Sequence, residues 1–204
     1  IFSGTGGTLT NPSSPTSGFS GVAGNTYILF WTISNSPCTA SADSMVVYFP
    51  QNPTTADAGA DQLKCGLTVT TLAGNTPTVG TGAWSKVSGV GGSFGNTTSP
   101  TSTFSGTAGN SYTLRWTISN SICTASSNDV IIDFPFNPTS ASAGNDTNIC
   151  NGSIINLKAN TPIIGSGSWS ILSGSCSITS TTSPTSTAST FTNNAITSLV
   201  WSIT

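Results

Sequence analysis

The chain has 204 residues, of which only 5% are charged, and its formal net charge at pH 7 is −2. Four basic residues leave no positively charged face for nucleic acid, and the absence of histidine excludes Ser-His-Asp and Cys-His catalysis. With 35% hydrophobic residues the chain can form packed cores, yet no apolar run is long enough to span a membrane.

The sequence repeats itself with a period of 85 residues, since Trp31 returns as Trp116 (116 − 31 = 85) and again as Trp201 (201 − 116 = 85). Only around TTSPTST (181–187) is the third copy shifted by one residue, relative to TTSPTST (97–103). The stretch AGNTYILFWTISNSPC (23–38) returns as AGNSYTLRWTISNSIC (108–123), and a third version ends the chain as AITSLVWSIT (195–204). This period is too long for a solenoid unit and corresponds to one small domain per repeat.

Two Asn-Pro breaks, at 52–53 and 137–138, mark the boundaries between repeats. We divide the chain into the C-terminal part of a first repeat (1–53), a complete second repeat (54–138) and the N-terminal part of a third (139–204). Because the chain starts and stops inside repeats, we expect it to be part of a longer array.

Apolar residues that alternate with polar ones predict short strands, in chain order at 27–33, 67–74, 82–89, 112–118 and 129–134. Tyr112, Leu114, Trp116 and Ile118 keep the apolar character of their first-repeat counterparts, whereas the residues between them become polar, so this set is predicted to face the core. About seven strands per repeat, separated by Gly, Asn, Pro and Ser turns, predict an all-β fold of tandem immunoglobulin-like β-sandwich domains.

Aromatic residues are predicted to build the core of each repeat. Tyr27 and Tyr112 open a strand where a tyrosine corner would fasten the preceding loop, and Thr197 replaces this residue in the third repeat. Trp84 and Trp169 stand where the third strand would bury an aromatic side chain between the sheets. The predicted aromatic core consists of Tyr27, Trp31, Trp84, Tyr112, Trp116, Trp169 and Trp201.

The five cysteines allow several disulfide patterns. Cys65 and Cys123 would form a structural disulfide within the second repeat, which leaves the partners of Cys38 and Cys150 outside residues 1–204. Bonds across the repeat boundaries, Cys38 to Cys65 and Cys123 to Cys150, are a second pattern. A third pairs Cys150 with Cys176. The sequence alone does not choose among them.

The recurring aspartate, Asp61 and Asp146, is best explained as a turn former, with calcium binding as the alternative. Calcium needs six to eight oxygen ligands, and no acidic cluster provides them. No Cys-x-x-Cys spacing points to zinc. We therefore expect no cofactor and no enzymatic activity.

Several segments carry a resemblance to a known repeat type, namely AGADQLKCG, LAGNTPTVGTGAWS and the long run from SPTSTFSG (99–106) to DVIIDF (129–134). They resemble the PKD-like or Ig-like repeats of very large Bacteroidetes surface proteins, including gliding-motility adhesins. The resemblance implies type IX secretion, an extracellular location on the bacterial outer surface, and a role in adhesion or gliding. The sequence DSM (43–45) also resembles an O-glycosylation acceptor of such proteins, with Ser44 as the modified residue.

Two functions are compatible with these observations. The first is a non-catalytic stalk or filament whose partners are the neighbouring repeats of the same chain. The second is a module that binds surface glycans or another cell-surface protein. The second function requires exposed aromatic side chains, and Phe30, Phe94 and Phe104 are the candidates.

Overall fold

The computed structural model describes residues 1–150 and 152–204, and in these ranges it contains sixteen strands and no helix. The chain divides into two compact units, Ile1–Phe134 and Pro135–Thr204. The first unit holds residues 1–53 and most of the second repeat, and the second unit holds the third repeat.

The strands of residues 1–53 are β1 Thr8–Leu9, β2 Phe19–Ser20, β3 Thr26–Ile33 and β4 Ser41–Tyr48. Those of the second repeat are β5 Gln62–Leu63, β6 Val69–Thr71, β7 Thr81–Ser88, β8 Ser93–Phe94, β9 Thr103–Ser105, β10 Asn110–Ser119 and β11 Ser126–Phe134. Those of the third repeat are β12 Ile155–Asn156, β13 Gly167–Ser173, β14 Ser177–Ile178, β15 Thr187–Ser189 and β16 Ser198–Ile203.

The second repeat is a sandwich of two sheets. One sheet has the strand order β5-β11-β10-β7 and the other has the order β6-β9-β8. β5 runs parallel to β11, and the remaining pairs of this repeat are antiparallel. Seven strands in this order form an Ig-like sandwich, so the predicted all-β fold class is confirmed.

The other two repeats contain subsets of the same strands. One period apart in the sequence, β1 to β4 correspond to β8 to β11, and β12 to β16 correspond to β6 to β10. The pairing is retained as well, since β3 pairs with β4, and β13 pairs with β16, as their second-repeat counterparts do.

Alternate residues of the long strands fill the core of the second repeat. Tyr112, Leu114, Trp116 and Ile118 of β10 are each 0% exposed. Val130, Ile132 and Phe134 of β11 are buried beside them, and Leu72 and Phe104 come from the opposite side of the sandwich. The period of two therefore places one face of each long strand between the sheets.

Two tryptophans face each other across the β7–β10 pair. Trp84 and Trp116 are register partners, and their ring centroids lie 5.0 Å apart. A Cβ atom on Gly82 would collide with the Trp116 ring, so this glycine leaves the space that the indole occupies. In the third repeat Trp169 and Trp201 pack at 5.2 Å.

Tyr112 anchors the loop before β10. Its hydroxyl accepts a hydrogen bond from the N–H of Thr107 at 2.9 Å and donates one to the carbonyl oxygen of Val90 at 3.0 Å. Tyr27 repeats both contacts in the first repeat, with the N–H of Val22 and the carbonyl oxygen of Thr5. At the equivalent position of the third repeat, the buried hydroxyl of Thr197 has no hydrogen-bond partner among the described residues.

Trp31 departs from the predicted aromatic core because it is 39% exposed, whereas Trp116 is fully buried. The strand that covers Trp116 is β7, and the counterpart of β7 in residues 1–53 is limited to the first few residues, where Ser3 bridges to Ile28. Trp31 therefore has no counterpart of Trp84 to pack against in residues 1–53. The other six residues of the predicted core are buried.

We expect Tyr112→Phe to lower the free energy of unfolding of the second repeat by about 1–3 kcal/mol, because it leaves the Thr107 N–H and the Val90 carbonyl without their partner. Urea denaturation followed by tryptophan fluorescence measures the change. Tyr48→Phe is the matched control, since Tyr48 is exposed on β4 and should change stability little. Equal effects of the two substitutions would contradict this role of the Tyr112 hydroxyl.

Candidate functional surfaces

All five cysteines are free thiols in the structure. The structure contains neither the predicted Cys65–Cys123 bond nor any of the alternative pairs. Cys38, Cys65 and Cys150 are exposed, and Cys123 is half-buried. Cys176 packs against the core of the third repeat, where burial raises the pKa of its thiol.

The topology explains why Cys65 and Cys123 do not meet. Leu63 pairs with Asp133 near the last residue of β11, so Cys65 lies at that end of the strand. Cys123 precedes Ser126, the first residue of β11, and therefore lies at the other end. Nine residues of strand separate the two ends by roughly 25–30 Å, whereas a disulfide requires Cα atoms within about 7 Å of each other.

Asp61 has a structural role in the second repeat. One of its carboxylate oxygens accepts the N–H of Ile131 at 2.8 Å, which ties the segment before β5 to β11. In residues 1–150 and 152–204 no three His, Cys, Asp or Glu side chains cluster in a way that could hold a metal ion. The same part of the chain has no helix that is long and apolar enough to cross a membrane.

The outward face of the larger sheet differs from repeat to repeat. In the second repeat Arg115 on β10 forms a bidentate ion pair with Asp129 on β11, at 2.7 and 2.8 Å. This hydrogen-bonded guanidinium holds the pKa of the Asp129 carboxyl below its usual value. The equivalent residues in the first repeat are Phe30 and Ser44, so the charge pair does not recur. Ser44 is exposed on β4 and is accessible to modification.

Of the three candidate binding aromatics, only Phe30 is exposed. Its side chain is 51% exposed, and its ring lies 5.0 Å from that of Phe2, which is 70% exposed. Phe94 is half-buried against the core of the second repeat, and Phe104 is completely buried. Phe2 and Phe30 together form an apolar patch on the outward face of residues 1–53, which we call the Phe2–Phe30 patch.

A groove of about 300 Å³ lies beside β3 and β4 in residues 1–53. Its lining includes Leu9, Pro12, Pro15, Leu29, Trp31 and Met45. In the second repeat the equivalent surface is covered. Trp84 donates its indole N–H to the Ser99 carbonyl there, and Leu72 donates its backbone N–H to the Ser102 carbonyl. The groove thus marks the core surface that β6 and β7 fill in a complete repeat, rather than a ligand pocket.

Sequence reasoning missed a set of side chains that hold loops in place. The Thr54 hydroxyl accepts the N–H groups of Thr78 and Val79, and Thr139 makes the equivalent bonds in the third repeat. The side chain of Asn75 binds the carbonyl oxygen of Thr55 and the N–H of Asp57, in the segment by which the chain enters the second repeat. Asn160 binds Ser140 and Ser142 in the same way in the third repeat. Their recurrence at the repeat period was the signal that could have identified them.

No family model and no curated protein matches the chain. Among solved structures it is similar to the protocadherin gammaB7 EC3-6 cis-dimer, with 12% sequence identity and a TM-score of 0.36. The match covers 93% of this chain and 61% of the protocadherin chain, so the chain spans about three fifths of the length of that structure.

Proposed function

We propose that the chain is a non-catalytic spacer segment of an extracellular, adhesin-type surface protein, in which Ig-like repeats are joined end to end. The observation that carries this proposal is the position of the two ends of the second repeat. The resemblance to Bacteroidetes adhesin repeats supports the bacterial cell surface, type IX secretion and a part in adhesion or gliding as the setting.

The chain enters the second repeat at one end of the sandwich and leaves it at the other. The N–H groups of Ala56 and Ala58 donate to the side chains of Ser126 and Asn128, so the entering segment lies beside the start of β11. From there it runs parallel to β11, which ends at Phe134. β11 alone spans roughly 30 Å, so each repeat of this kind adds length to an array.

The pattern of variation also supports a spacer. Several side chains that hold loops in place recur once per period, as Thr54 and Thr139 show. One outward position of the larger sheet, in contrast, is Phe30 in the first repeat, Arg115 in the second and Val200 in the third. A binding site shared by all repeats would need the opposite pattern, with the exterior retained.

The pairing of β5 with β11 suits a segment under tension. These strands are parallel and lie near the two termini of the repeat, so a pull on the termini loads their hydrogen bonds in shear. The N–H of Lys64 donates to Asp133, and that of Ile131 donates to Asp61, which adds to the same connection. Bonds loaded in this direction must break together rather than one after another.

We expect single-molecule stretching of the full chain by its termini to show a force peak for the second repeat, with an increase in contour length of roughly 260 Å. Asp61→Ala should lower this unfolding force because the Ile131 N–H loses its acceptor. Asp61→Asn keeps a side-chain oxygen and serves as the matched control. Extension without a force peak for the second repeat would contradict a force-bearing spacer.

The Phe2–Phe30 patch favours the second candidate function, a module that binds glycans, because exposed aromatic rings can stack on sugars. The spacer proposal expects no binding of the full chain on a glycan array. The matched pair of variants is Phe30→Ala and Arg115→Ala, which change equivalent positions in two repeats. Reproducible binding that is lost in Phe30→Ala but kept in Arg115→Ala would replace the spacer by a binding module.

A further inference from the structure

The turn that carries Cys123 touches the end of the first repeat. This turn connects β10 to β11, and within it the N–H of Cys123 donates to the carbonyl oxygen of Asn120 at 3.1 Å. The side-chain amide of Asn120 donates to the carbonyl oxygen of Gln51 at 2.7 Å. Gln51 follows the last residue of β4, Tyr48, by three residues, so the turn that carries Cys123 contacts the segment just after β4.

The corresponding end of the second repeat carries an exposed cysteine. There the N–H of Lys64 donates to the carbonyl oxygen of Asp133 at 2.8 Å, and Cys65 is the next residue. Tyr48 on β4 is the counterpart of Asp133, one period earlier in the sequence. In a first repeat with a counterpart of β5, a cysteine at the position of Cys65 would lie beside the end of β4, on the side of the repeat where Gln51 meets the turn of Cys123.

We propose that Cys123 forms a disulfide across the junction between two successive repeats. Its partner is the cysteine that holds the position of Cys65 in the repeat before it. This pairing differs from a bond within one repeat, which the distance along β11 opposes, and from a bond between Cys38 and Cys65. It rests on the end-to-end arrangement of repeats but not on the adhesive role of the parent protein.

The recurrence of the participating residues supports the pairing. Cys38 and Cys123 occupy one repeated position, and Cys65 and Cys150 occupy another. Asn35 and Asn120 also recur, and the acceptor of Asn120 is a backbone carbonyl that any residue provides. Both cysteine positions lie in turns rather than in the core, so a bond between them leaves the two sandwiches intact.

The chemistry is thiol–disulfide exchange with a small-molecule disulfide such as oxidised glutathione. One cysteine thiolate attacks oxidised glutathione and releases one glutathione thiolate, which takes up a proton. The second cysteine thiolate attacks the mixed disulfide and releases the other. Two cysteine thiols are oxidised to one disulfide, and one oxidised glutathione is reduced to two glutathione molecules.

The test uses the full chain with a copy of residues 54–85 placed ahead of Ile1, which continues the repeat register upstream and adds one cysteine equivalent to Cys65. After refolding with oxidised and reduced glutathione, we expect peptide mapping without reduction to find the added cysteine linked to Cys123. The number of free thiols found by titration should fall by two per chain. The matched control is the same extended chain with Cys123→Ser. This variant should form no link, so all of its remaining thiols should stay free.

A link between the added cysteine and Cys38 would overturn the proposal, because it is the bond within one repeat. A folded extended chain without a link to Cys123 would overturn it as well. If the extended chain does not fold, Gln51→Cys in the original chain tests the same junction, and we expect the introduced thiol to bond to Cys123. Absence of that bond under the same conditions also counts against the proposal. Neither result depends on the stretching experiment, so the spacer function is judged separately.

Discussion

The packing of Trp116 against Trp84 is the interaction on which the rest of the repeat depends. The two rings join β10 to β7, and Gly82 leaves room for the Trp116 indole. Their N–H groups also reach the loops, since Trp116 donates to the Asn75 carbonyl and Trp84 to the Ser99 carbonyl. One aromatic pair therefore fixes a sheet and the loops around it. The third repeat packs Trp169 against Trp201 beside Gly167 in the same way, and Trp169 donates its indole N–H to the Ser183 carbonyl. The buried indole N–H of Trp201, in contrast, has no hydrogen-bond partner among the described residues.

Residues 1–53 show what happens when this pair is incomplete. β3 and β4 keep their register, and Tyr27 keeps both of its hydrogen bonds, because these contacts lie within the segment. Trp31 is exposed, however, and the surface beside it is open as a groove. Pairing of strands and anchoring of a loop are thus local properties, whereas burial of the central tryptophan needs a strand from another part of a complete repeat.

The same topology links architecture to the proposed role. A parallel strand near the entry of the repeat and a long strand at its exit place the two termini at opposite ends of the sandwich. Because of this arrangement, a complete repeat extends the chain by the length of its sandwich. The arrangement also brings the β10–β11 turn of the second repeat against the end of the repeat before it. Asn120 makes that contact through a backbone acceptor, so the contact does not depend on the side chain that the linker carries.

The sequence by itself determined the period, the strand faces and most of the core, because the alternation of apolar residues and the return of most core aromatic residues after 85 positions can both be recognised along the chain. It identified Tyr112 and Trp84 for this reason. It did not determine which cysteines are near each other, because spacing along the chain says nothing about which end of a strand a turn occupies. Only the tertiary structure decided that Cys65 and Cys123 lie apart, since β5 runs parallel to β11 and carries Cys65 to the end opposite the β10–β11 turn. Only the tertiary structure, too, separated exposed Phe30 from buried Phe104, because burial depends on the sheet that covers each side chain.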